Sequence, residues 1–199
     1  MIPRGRSSAS NRSRRAGRLT QDVRPWGGGT IRELERVESE SRAILERLLQ
    51  LELYDIGMDP GPDGRINWGE SLDNFFTDPS CLPLFLKVGG QVVGFALLKL
   101  NRGLPGPDGH TRRQANLVAE FYVMRPYRRK GIGTRAMDLI LKEFPGAWTV
   151  TTWPDPQRVA FWRHIATGRG REFTPGEHNG FPGQYVWVIE PNQADAGDA

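Results

Sequence analysis

Between Leu117 and Met124 the chain sets one charged residue, Glu120, in an otherwise apolar run, and soon afterwards it becomes basic and glycine-rich at Arg128-Arg129-Lys130-Gly131-Ile132-Gly133. A carboxylate in a strand-like run is disfavoured by propensity and burial, so it has a partner or a task. Partial burial would lift its pKa toward the range of a general base, and in ionised form it could anchor an ammonium group. The other reading is a structural ion pair, with Arg112 or Arg113 as the nearest candidates. The basic run suggests an anion. Beyond it Ile132, Ala136, Leu139, Ile140 and Phe144 recur at three- and four-residue intervals, which predicts a helix whose first turn begins at the glycines. The leading N–H groups of a helix lack internal partners and carry a partial positive charge. Gly131 and Gly133 have no Cβ, so a phosphate could approach the backbone, with Arg128, Arg129 and Lys130 adding charge around it. A solvated basic helix start is the alternative.

The elements that must hold these groups follow from pattern. Val118, Phe121, Tyr122 and Val123 suit a buried strand that Pro126 stops. Upstream, Thr30 to Arg36 reads as a strand, and Glu38 to Tyr54 as a helix with a broad apolar stripe formed by Ala43, Ile44, Leu48, Leu51 and their neighbours. Asp59 to Gly64 is a loop by composition, followed by Trp68 and a short helix near Ser71 to Phe76. Leu82 to Val88 and Gln91 to Leu100 form a hairpin about Gly89-Gly90. Asn101 to Ala115, with Pro105-Gly106-Pro107, reads as a long loop placed to cover the site. Downstream come a strand from Ala147 to Trp153, a helix from Gln157 to Thr167, and strands at Glu172 to His178 and Gln184 to Ile189.

At 199 residues and 38% hydrophobic content the chain suits one domain, expected over residues 29–190. Residues 1–28 are expected to be a disordered basic leader and 191–199 a flexible acidic tail. The first 29 residues hold seven arginines against one aspartate, so the net charge of +4 hides a mildly acidic body. That argues against a nucleic-acid partner. No apolar run has the length of a membrane span. The single Cys81 is compatible with a reducing cytoplasm, reads most simply as a buried hydrophobe, and leaves no metal-binding cluster.

The pattern Arg-x-x-Gly-x-Gly at Arg128, Gly131 and Gly133, preceded by Phe-Tyr-Val-Met-x-Pro-x-Tyr from Phe121, resembles the acyl-coenzyme-A signature of the Gcn5-related N-acetyltransferase (GNAT) superfamily. The resemblance implies an α/β (α+β) fold: a mixed, mostly antiparallel sheet of about seven strands with about four helices, splayed between strands 4 and 5. It implies that coenzyme A lies on the backbone of Arg128, Arg129, Lys130, Gly131, Ile132, Gly133 and Thr134, with Phe121, Tyr122 and Val123 along the pantetheine arm. The Val123 amide would hold the thioester carbonyl and Glu120 would be the base, although histone-type members place theirs at the position of Leu117 here. Asp155 and Trp162 align with an Asn and a Tyr on the helix after the fifth strand. Since an indole N–H is too weak an acid to give up its proton, Trp162 departs from the pattern. Tyr122, Tyr127, Tyr185 and His164 are then the other candidates for protonating the thiolate.

The expected activity is acetyl transfer from acetyl-CoA to the primary amine of a small molecule, by direct attack in a ternary complex and without a metal. Two alternatives stand beside it: a degenerate acyl-CoA sensor, for which Trp162 argues, and a protein or peptide N-acetyltransferase that docks through the leader and the loop at residues 101–115. Tyr54, Trp68, Phe75 and Phe76 are candidates for the acceptor wall. C-terminal edge strands pair between subunits in some members, so a homodimer is one assembly the resemblance allows.

Overall fold

A computed structural model describes residues 19–20 and 33–190. In chain order the elements are β1 (Leu19–Thr20), β2 (Glu33–Arg36), α1 (Arg42–Asp55), α2 (Asn74–Thr77), β3 (Cys81–Val88), β4 (Gln91–Pro105) and β5 (Arg112–Val123), then α3 (Ile132–Glu143), β6 (Trp148–Thr152), α4 (Pro156–Ala166), β7 (Gly170–Phe173) and β8 (Tyr185–Ile189). They form one mixed sheet in the order β1-β2-β3-β4-β5-β6-β8-β7, antiparallel except where β5 meets β6. Seven of these strands and the four helices follow the predicted order; β1 adds a short edge pairing of Leu19 with Leu34 and Thr20 with Glu33. The rest of the leader and the acidic tail lie outside the described residues.

The β3–β4 hairpin closes at Gly89 and Gly90, both at positive φ (58° and 82°), as a tight two-residue turn demands. Asn101 to Ala115 is not a lid-like loop. β4 runs on to Pro105 and β5 starts at Arg112, so the two strands extend as a ribbon pairing Arg102–Pro105 with Ala115–Arg112. Asp108 closes its tip by accepting from the backbone N–H groups of His110 (2.9 Å) and Thr111 (2.8 Å). The tip leans on the β7–β8 connection, where the Asn179 N–H donates to Pro107 O at 2.9 Å. A two-stranded ribbon with little core beneath it shows no hydrophobic alternation, hence its loop-like composition.

Each face of the sheet carries its own apolar cluster. One packs Ala136, Met137 and Ile140 of α3 and Val159, Trp162 and Ile165 of α4 over Leu84, Leu98 and Val118. The other packs Leu45, Leu48, Leu49 and Leu53 of α1 over Phe85, Phe95, Leu97 and Tyr122. The α1 stripe is therefore rotated from the predicted one: Ile44 and Leu51 are outside, 44% and 49% exposed, and Glu52 is inside. Cys81 is a buried member of the α1-side cluster.

Candidate active site

Two departures from regular pairing shape the centre of the sheet. Opposite β4, Leu98 faces Val118 and Leu97 faces Glu120, so Ala119 is left over as a bulge. The extra residue resets the alternation. Glu120 and Tyr122 fall on the α1 side with Leu97 and Phe95, while Phe121 and Val123 pack on the α3–α4 side. Opposite β6, pairing covers only Asn116 to Val118 with Trp148 to Val150, although β5 continues to Val123 and β6 to Thr152. From Ala119 onward the strands splay, and one edge of β5 is freed. The Met124 N–H donates to Val93 O (2.9 Å), so Val123, one residue earlier, turns its own N–H and C=O away from β4 toward the gap.

The turn after β5 has a backbone shape that could cradle an anion. Arg129 (φ 62°) and Gly131 (φ 73°) are both left-handed, flanking Lys130, and α3 starts at once with Ile132. Such alternation aims successive amides into one concavity, reinforced by the helix N-terminus. A Cβ on Gly131 would meet nothing within 4 Å, so the space above it is open. Ile132 sends its side chain into the core and offers only backbone; Thr134 is half-buried within the first turn of α3. Gly133 has another reason to be glycine: an added Cβ would come within 3.1 Å of Phe161 and 3.5 Å of Phe121. Those rings stack at 5.7 Å, and both meet Trp162 edge-on. Trp162 is thus a buried wall on this side of the gap. Asp155 caps α4, accepting the Arg158 N–H at 2.8 Å.

Arg128 is engaged inside the protein. Its Nε donates to Val123 O (2.7 Å), one terminal nitrogen donates to Asp55 (2.6 Å), and its guanidinium sits 5.2 Å from the Tyr122 ring centroid. Asp55 also takes Arg125 (2.8 Å) and the Tyr122 hydroxyl (3.1 Å). One carboxylate at the end of α1 therefore ties the turn to both α1 and β5. Burial and the adjacent Asp55 push the Tyr122 hydroxyl up to about 12, so it holds its proton firmly. Of the other suggested acids, Tyr127 has the Lys130 ammonium over its ring and Tyr185 stacks on Trp187.

Glu120 is not tied to the arginines suggested for it. Arg112 donates to Gly103 O and Arg113 pairs with Glu190. Glu120 Oε1 instead accepts from the Trp68 indole N–H at 2.6 Å, bringing the loop before α2 onto β5. Trp68 in turn packs near Phe75, with centroids 5.9 Å apart, whereas Tyr54 points to solvent and Phe76 lies beneath Arg42. Burial raises the Glu120 pKa and the Trp68 bond partly offsets it. The residue missing from the sequence reading is Glu52. It lies on the inner face of α1, 6% exposed, and its carboxyl is held well above the ordinary range, first by burial and then by the charge of Glu120. Its sequence signal was available, since Leu45, Leu48, Leu49, Glu52 and Leu53 share one helical face.

A family model, the acetyltransferase (GNAT) family, matches residues 44–165, and the chain belongs to that family. The cradle at Arg129 to Gly133 and the splay beside Val123 fit the acetyl-CoA donor that this family uses. The fold is similar to that of an acetyltransferase from Thermus thermophilus (TM-score 0.58, 18% identity, covering 81% of this chain and 99% of the other). It is also similar to FdhC, a nucleotide-linked sugar GNAT (TM-score 0.56, 9% identity, 82% and 88% covered). Arabidopsis thaliana NAA60, solved with a bisubstrate analogue, is a third (TM-score 0.54, 14% identity, 80% and 97% covered). At these identities the likeness is one of fold. None of the curated proteins compared with the chain matches it.

Proposed function

We propose that the protein is an N-acetyltransferase that moves the acetyl group of acetyl-CoA to the primary amine of a small molecule, by direct attack within a ternary complex. The observation that carries this reading is the bulge at Ala119, which turns Glu120 to the α1 side while Val123 faces the gap opened by the splay. The proposed base, Glu120, and the proposed carbonyl-binding amide, that of Val123, are three residues apart on one strand.

The donor supplies an acetyl thioester whose thiolate is a fair leaving group. The amides from Arg129 to Gly133 would hold its pyrophosphate, Phe121 and the Phe161–Trp162 pair would flank its arm, and the Val123 N–H would stabilise charge on the carbonyl oxygen. Glu120 takes a proton from the acceptor's ammonium and leaves a nucleophilic lone pair; burial raises its pKa toward the working range, and the Trp68 bond partly offsets the rise. Solvent returns a proton to the thiolate, since the Tyr122 hydroxyl is committed to Asp55. A small cationic acceptor agrees with the mildly acidic body and with a half-buried base bonded to Trp68.

The test is thiol release from acetyl-CoA over a panel of primary amines, for wild type and Glu120→Gln. Turnover that falls at least a hundredfold in the variant, with coenzyme A affinity unchanged, supports the reading (roughly the effect of losing a general base). Buried Trp162 favours a second reading, an acyl-CoA-binding module without turnover. Tight coenzyme A binding with no acetyl transfer to any amine would select it.

A further inference from the structure

We propose that Glu52 is a second acceptor-binding carboxylate, and that with Glu120 it forms a receptor that exchanges one shared proton for the ammonium group of a cationic acceptor. The inference rests on the acetyltransferase reading above and names the acceptor class: amines that arrive as alkylammonium ions, rather than alcohols, amides or weakly basic nitrogens.

Glu52 sits in the apolar inner face of α1 between Leu48, Leu49 and Leu53, and its Oε2 has no hydrogen-bond partner. A buried polar atom left without a partner is uncommon and costly. The charges that act on Glu52 are Glu120 from β5, Arg158 from α4, Arg128 from the turn after β5, and Asp55 from α1 itself. Glu120 also feels Glu70 and Lys99. The cations in this set are held elsewhere: Lys99 by Glu70 (2.5 Å), Arg128 by Asp55 (2.6 Å), and Arg158 beside Asp155 (3.5 Å). Among the described residues neither Glu52 nor Glu120 forms an ion pair.

Burial and the charge of Glu120 both favour the protonated form of Glu52, so in the proposed receptor the two acids share one proton and titrate as a pair. An ammonium brings three donors and one positive charge, so it can satisfy the orphan oxygen and let the second carboxylate ionise. The exchange balances: the singly protonated pair and one alkylammonium give the doubly ionised pair, the bound ammonium and one proton released to solvent. In the transfer step that follows, the ammonium N–H proton passes to Glu120 and the nitrogen lone pair becomes free to attack. Neutral acceptors gain no such exchange, which sets the selectivity.

The experiment is calorimetric titration of butylammonium chloride into the protein saturated with coenzyme A, near neutral pH, in two buffers of different ionisation enthalpy. Release of about one proton per amine bound is expected for wild type. In Glu52→Gln and in Glu52→Met release should vanish and affinity fall roughly tenfold or more, as for loss of a charged hydrogen-bond partner. Coenzyme A affinity in both variants reports that they are folded. Absence of amine binding, binding without proton release in wild type, or unchanged affinity and release in both variants would overturn the proposal. If release behaves as expected but butylamine and its homologues are never acetylated, the transferase reading fails while the receptor stands.

Discussion

Replacing Glu52 by glutamine should remove a pH dependence from the stability of the fold. Folding takes the Glu52 carboxyl out of water and beside Glu120, which raises its pKa above the ordinary value of 4.5. The sign follows from linkage: a folded pKa above the unfolded one gives stabilisation that is complete below the unfolded value and is lost as pH rises through the folded one. Across that window the unfolded chain ionises Glu52 while the native state keeps the proton, so stability falls with pH. One proton corresponds to about 1.4 kcal/mol per pH unit. For a chain of this length that is about 3–5 °C of Tm per unit. Glutamine has a similar shape and no proton to lose, so the variant's Tm should lack this slope and exceed that of wild type at the alkaline end. Circular-dichroism melts from mildly acid to mildly alkaline pH provide the assay. Parallel Tm profiles for wild type and Glu52→Gln would refute the argument that Glu52 is buried with a retained proton.

Four further outcomes follow from the site. Trp68→Phe removes the 2.6 Å donor to Glu120 while keeping an aromatic ring, so the acid limb of kcat/KM should move to higher pH by roughly one unit; an unmoved limb would show that Glu120 is not the group being titrated. Gly133→Ala forces a Cβ against Phe161 at 3.1 Å and should cost about 1–3 kcal/mol of stability. Gly131→Ala has open space but a φ of 73°, so in paired melts and coenzyme A titrations it should weaken binding more than it lowers Tm. Asp55→Ala releases Arg125, Arg128 and Tyr122 together; the arginines are partly exposed, so solvent limits the loss to about 1–3 kcal/mol, with weaker coenzyme A binding as the turn loosens.

The strand, turn and helix around Arg128 to Gly133 were legible in the sequence because each rests on a local rule: β-branched and aromatic residues to Val123, a stop at Pro126, glycines at the helix start, and apolar spacing along α3. The strand order and the four helices followed from the same signals. The splay between β5 and β6 was not readable from residue types, since it depends on which backbone groups meet across the sheet; it came only through the family resemblance. The phase of α1 was misread because Ile44 and Leu51 are as apolar as Leu45 and Leu48, and only packing decides which stripe turns inward. Glu52 was lost with that phase. The ribbon from Arg102 to Arg112 was read as a loop because its strands extend beyond the core and therefore show no alternation. The partner of Arg128 was not legible, since nothing local links it to Asp55 seventy-three residues away.

Whether the protein transfers acetyl groups is decided by free-thiol release from acetyl-CoA with small alkylamines, run beside a calorimetric titration of coenzyme A on the same wild-type sample. Saturable coenzyme A binding and amine-dependent thiol release, with an acetylated amine as product, are expected. Absence of coenzyme A binding would contradict the assignment of the cradle from Arg129 to Gly133, and with it the chemistry built around Glu120.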